Sequence, residues 1–176
     1  MSRPASGGTT TPYRYLEHTA DAGIEATGAT LEAAFASAAD GLAGWLCNRA
    51  SVGERESRPF DLSAADLESL LVDWLNEVNF AFEVDRIAFR RFEVTEVRGP
   101  AALRGPFGRL GAAPQGPPDA RKTPGGGPVS LKATGYGEPL DPARHHPGEQ
   151  VKSVTYHGVK VERTPDGWLA RVFLDI

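Results

Sequence analysis

Thr164-Pro-Asp-Gly-Trp-Leu-Ala-Arg-Val-Phe-Leu-Asp-Ile176 decides the fold. Pro presets φ and Gly supplies a positive one, so Thr164-Pro-Asp-Gly167 is tight-turn chemistry. The residues from Trp168 onward alternate at the two-residue period of a strand. The turn folds Val159–Arg163 back against that strand, and the sequence ends on it. The Asp175 side chain and the Ile176 terminal carboxylate are therefore expected side by side. Neighbouring carboxylates repel unless a proton, a base or a cation lies between them, which makes this end of the sheet the first candidate site.

Working outward, Val151–Val161 and Val129–Ala133 carry strand character, as do Ile87–Val97, the region around Val52 to Leu62, Gly23–Thr27 and Tyr13–His18. Two helical patterns interrupt them. Thr30 caps the first, whose Leu31, Ala34, Phe35, Ala38, Ala39, Leu42 and Leu46 form one apolar face. The second starts at Ser63, with Asp66 three residues on as an approximate capping box, and carries Leu67, Leu70, Leu71, Trp74, Leu75 and Val78 on one side. The expectation is an α+β two-layer sandwich, with two helices packed on one face of a largely antiparallel sheet of about six strands.

At 176 residues and 40% hydrophobic, the chain suits one domain with a full core. Residues 1–12 are polar, lack an apolar targeting segment and read as a disordered tail ahead of a single domain, 13–176. Between about 99 and 128 half of the residues are Gly or Pro, which reads as a flexible, mildly basic insert between two strands. A net charge of −4 gives no general attraction to nucleic acid or to an anionic membrane. No run is long enough to span a bilayer. The one cysteine, Cys47, excludes intramolecular disulfides and multi-cysteine metal sites, sits in an apolar helical pattern as an inert buried thiol, and fits a reducing cytoplasmic compartment.

The polar turn His18-Thr-Ala-Asp21 is the second candidate site. If the fold brings it to Asp175 and Ile176, three carboxylates converge and an all-oxygen set selects Ca²⁺, Mg²⁺ or Mn²⁺ over zinc. The alternative is that Asp21 caps a turn and Asp175 is a solvated strand end. Alternation along 151–161 puts Lys152, Val154, Tyr156 and Gly158 on one face and Thr155 and His157 on the other. Lys152 reads as a sheet-edge lysine, or as a cation that neutralises the acidic cluster or grips a phosphate. His157 reads as a hydrogen-bonded structural residue, and His145-His146 as an exposed loop, with a transition-metal site as the alternative. No glycine-rich phosphate loop opens a helix and no serine sits in a nucleophile elbow, so self-contained catalysis has little support.

Taken together, Tyr15-Leu-Glu-His-Thr-Ala-Asp-Ala-Gly-Ile24, Gly28 with Ala33-Ala34-Phe35, Leu70-Leu-Val-Asp-Trp-Leu-Asn-Glu77, Gly137-Glu-Pro-Leu-Asp141, Val151-Lys-Ser-Val-Thr-Tyr-His-Gly158 and Phe173-Leu-Asp-Ile176 resemble archease over nearly the whole chain outside the tail and the insert. The resemblance implies a small α+β protein that activates an RtcB-type RNA ligase rather than an enzyme in its own right. That ligase joins RNA 3′-phosphate or 2′,3′-cyclic phosphate ends to a 5′-hydroxyl with GTP and Mn²⁺, and the family is understood to promote its guanylylation and multiple turnover. It further implies a divalent-cation site, calcium first, at Asp21, Asp175 and Ile176, with Lys152, and secondarily His18 and His157, serving activation. RNA is then met only through the ligase. Two other readings stand beside it: a chaperone or specificity factor for an RNA methyltransferase, and a metal-dependent phosphate-ester hydrolase. The insert is longer than the corresponding archease connection.

Overall fold

The computed structural model describes residues 11–17, 22–99 and 128–176. Within them the order is β1 (Tyr13–Glu17), β2 (Ala22–Gly28), α1 (Leu31–Leu46), a 3-10 turn (Arg49–Ser51), β3 (Glu56–Ala64), α2 (Leu67–Glu83), β4 (Ile87–Arg98), β5 (Val129–Pro139), the one-turn α3 (Pro142–His145), β6 (Ser153–Thr164) and β7 (Gly167–Asp175). The expected α+β sandwich is present. Its strands divide between two antiparallel sheets, ordered β1-β2-β7-β6 and β3-β5-β4, where one sheet of about six strands was expected. The reason lies in the helices. Burial on α1 extends past the expected stripe to Ser37, Gly41 and Ala43, and on α2 to Val72, Asn79, Ala81 and Phe82. Apolar arcs that wide need cover from two directions. Accordingly α1 packs on β1, β2 and β7 and also on β4, while α2 packs on β3, β4 and β5 and also on β6.

Local chemistry sets the helix starts. Thr30 accepts the Ala33 N–H at 3.1 Å, as its position before the apolar run implies. The second cap is Asp66, whose Oδ1 accepts the Ser69 N–H at 2.7 Å. Ser63, the expected start, belongs instead to β3 opposite Ser130, because sheet pairing there prevails over helix capping. Where the two helices and the second sheet meet, Trp74 is fully buried and stands edge-on to Phe60 and Phe92, with centroids 4.9 and 5.6 Å away. Its indole N–H donates to the Phe35 carbonyl at 3.2 Å, which ties α2 to α1 and satisfies a donor that burial would otherwise strand.

The tail expectation falls mainly on residues 1–10, and the insert expectation on 100–127. Both lie outside the described residues. Among the described residues no helix is long and apolar enough to cross a membrane.

Candidate functional site at a corner of the first sheet

β7 runs down the middle of the first sheet, and its register gathers distant segments at one end. Ala22 stands opposite Leu174 on one side, and Ser153 opposite Asp175 on the other. Ala22 is also the partner of Glu17 in β1. The residues that bracket positions 18–21 therefore reach the same corner as the end of β7. His18 and Asp21 themselves lie outside the described residues.

On the other flank, the Lys152 N–H donates to the Asp175 carbonyl at 2.8 Å, and Lys152 Nζ donates to the main-chain oxygen of Ile176 at 3.2 Å. Lys152 and Asp175 are exposed. The corner thus offers a carboxylate, a main-chain oxygen and an ammonium from residues separated by more than twenty positions in sequence. Its acceptors are all oxygen, the donor chemistry of a hard cation. Among the described residues no three His, Cys, Asp or Glu side chains cluster closely enough to hold a metal ion.

His157 is placed differently from the alternation expected of a regular strand. β6 pairs Thr155 with Phe173 and Lys160 with Arg171, so Tyr156, His157, Gly158 and Val159 all stand opposite Val172. This wide bulge is built on Gly158 at φ +67°, where a Cβ would come within 2.7 Å of the Phe173 ring. It leaves His157 and Tyr156 exposed, with the Tyr156 hydroxyl 3.2 Å from Asp73 Oδ1 on α2.

Two charged groups escaped the sequence reading. In the first, the exposed-loop expectation for His145 is overturned: the ring is fully buried. The Asp141 N–H donates to Nδ1 at 3.0 Å, which puts the ring proton on Nε2, where it meets Glu138 Oε1 at 3.1 Å. Glu138 is 2% exposed, also accepts from the Gly53 N–H at 2.7 Å and from Arg144, and is ion-paired with Arg55 at 3.1 Å. The Gly53 hydrogen bond, set against the cost of burial and aided by His145, Arg144 and Arg55, holds the Glu138 carboxyl below the ordinary glutamate range. Nothing local in Gly137-Glu-Pro-Leu-Asp141 signals this, because Gly53 is 85 positions away. In the second, Glu25 lies between its register neighbours Arg14 and Arg171 at 2.5 Å from each. Burial raises its carboxyl, and the two guanidiniums outweigh that and lower it. Both groups are saturated with partners. Cys47 is buried and its thiol is pushed up to about 11 by that burial, which suits the inert reading.

The α+β sandwich is an architecture shared with solved proteins. The solution structure of Methanobacterium thermoautotrophicum protein 1598 superposes with a TM-score of 0.67 at 24% identity, covering 95% of this chain and 100% of that one. The crystal structure of a Thermotoga maritima archease, described as a possible chaperone, has a TM-score of 0.50 at 16% identity, covering 100% and 98%. In sequence, residues 13–176 match the archease protein family (MTH1598/TM1083). Protein archease of Methanosarcina acetivorans is 37% identical over 164 residues, 93% of this chain and 95% of its own. Protein archease of Pyrococcus abyssi is 36% identical over 165 residues, 93% and 98%. The chain belongs to the archease family.

Proposed function

We propose that this protein activates an RtcB-type RNA ligase, promoting its guanylylation and repeated turnover, and that the corner of the first sheet is the part that acts. The observation that carries the reading is the convergence of Lys152, Asp175 and Ile176 at a corner where Glu17 and Ala22, the residues bracketing positions 18–21, also end. Asp21, Asp175 and the Ile176 main-chain oxygen would hold a divalent cation, calcium first, and the ion would supply positive charge for acidic or phosphate groups of the partner. The all-oxygen donors suit such an ion, and the described residues supply part of the set. Lys152 brings a compact ammonium to the same oxygens, the point-charge chemistry that binds phosphates. His18 and His157 are secondary candidates for partner contact.

The test is RNA joining per ligase under multiple-turnover conditions, with a cognate RtcB-type ligase, GTP and Mn²⁺. Addition of this protein should lift joining above one event per ligase, and Asp175→Ala should remove at least about tenfold of that gain. No stimulation by the unaltered protein would sink the proposal and bring the methyltransferase partner forward. Turnover of a generic phosphate ester by the protein alone would favour the hydrolase.

A further inference from the structure

α2 presents Asn76 and Asn79, three positions apart and hence on one helix face, to the segment Val151–Val154, which carries Lys152 and leads into β6. Asn76 Oδ1 accepts the Val154 N–H at 2.9 Å, and its Nδ2 donates to the Val154 carbonyl at 3.2 Å. One carboxamide thus engages both polar groups of one residue, as a neighbouring strand would. Because the Val154 N–H can only donate, the orientation of the Asn76 amide is fixed. Asn79 Nδ2 donates to the Val151 carbonyl at 2.9 Å. Lys152 and Ser153 lie between these two fastenings. On the opposite side the Lys152 N–H is held by the Asp175 carbonyl and Ser153 pairs with Asp175. The dipeptide is pinned from both sides.

Asn79 carries a second message. It is only 7% exposed, and among the described residues its Oδ1 has no hydrogen-bond partner. An unpaired buried acceptor is destabilising, and an apolar side chain would avoid it. Departures from local rules of this kind collect where function outweighs stability. What Asn79 supplies here is its donor to Val151. Four rotatable bonds separate the Lys152 ammonium from its backbone, so its reach to Ile176 depends on where that backbone is held.

We infer that Asn76 and Asn79 are positioning residues whose task is to hold Lys152 with its ammonium on the Ile176 oxygen beside Asp175. Their importance for activity rests on the reading of the corner as the working site; the positioning itself does not. The chain has four lysines, Lys122, Lys132, Lys152 and Lys160. Reductive ¹³C-methylation followed by NMR gives each a signal, and Lys152→Arg identifies the one of interest. Asn76→Asp keeps the acceptor for Val154 and removes the donor; Asn79→Leu fills the volume and removes the donor to Val151. In both variants, with cooperative unfolding retained, the Lys152 signal should move to the position of a free lysine. Lys132 and Lys160, which pair with Asp61 and Glu162, should keep theirs. Ligase stimulation should fall about tenfold with each variant. An unmoved Lys152 signal in the folded variants overturns the inference, and if Asn79→Leu does not fold, Asn76→Asp decides alone. The lysine signal needs no ligase, so an unaltered protein that fails to stimulate any ligase overturns the activator reading and leaves the positioning result standing.

Discussion

Glu138 and Asp175 are both acidic residues near strand ends, and they live in opposite surroundings. Glu138 is sealed at 2% exposure with a main-chain N–H, a histidine and two arginines around it. Asp175 is exposed, and among the described residues its carboxylate makes no hydrogen bond or ion pair; only its main chain is engaged. A carboxylate whose acceptor sites are filled from inside the fold has nothing left for a ligand, whereas one held by its backbone alone keeps its full capacity. The contrast suits Glu138 to stability and leaves Asp175 free for the role proposed above, and it can be broken at either end.

The largest effect is expected at the sealed group. His145→Ala removes a donor from Glu138, strands the Asp141 N–H and opens a cavity, so unfolding free energy from urea titration should drop by about 3 kcal/mol. A smaller, pH-selective effect follows from the depressed Glu138 carboxyl. Its contribution is complete above the ordinary glutamate value of about 4.3 and is lost as pH falls through the lower folded value. Glu138→Gln should therefore flatten the acid side of the stability profile below about pH 4; an unchanged profile would remove Glu138 from the stabilising set. The smallest effect is expected at the open corner, where Asp175→Ala and Lys152→Met should each leave stability within about 0.5 kcal/mol of the unaltered protein. A larger loss there would turn the corner into a structural feature.

What could be read from the sequence follows the range of the forces involved. Thr30 was legible as a cap because the N–H it accepts lies three residues away, and the faces of α1 and α2 were legible because periodicity is local. The hairpin at Thr164–Gly167 was legible from turn chemistry. The division into two sheets was not, since it depends on β5 lying between β3 and β4 across long sequence separations. The extension of β5 to Pro139 was hidden by Gly135 and Gly137, poor strand formers that are needed because Phe89 and the Ala88 main chain press on them. The bulge in β6 escaped because one positive φ at Gly158 interrupts an alternation that reads as continuous. Of the candidate site, the composition was legible through Lys152, Asp175 and Ile176. The adjacency of Asp175 and Ile176 was legible too, but the meeting of Lys152 with them was not, because it is a product of register.

The Asn76 carboxamide has a consequence for the behaviour of many copies at once. β6 is an outermost strand, and the unpaired edge of such a strand is a template on which another molecule can add a strand of its own. At Val154 that template is already occupied by a side chain, and two residues later the strand bulges out of register through Val159, with a positive φ at Gly158. β4, at the border of the other sheet, is broken by two register shifts. Among the described residues neither of these two edges offers a long straight row of free donors and acceptors, so chain-to-chain polymerisation through β6 or β4 is discouraged by the fold itself.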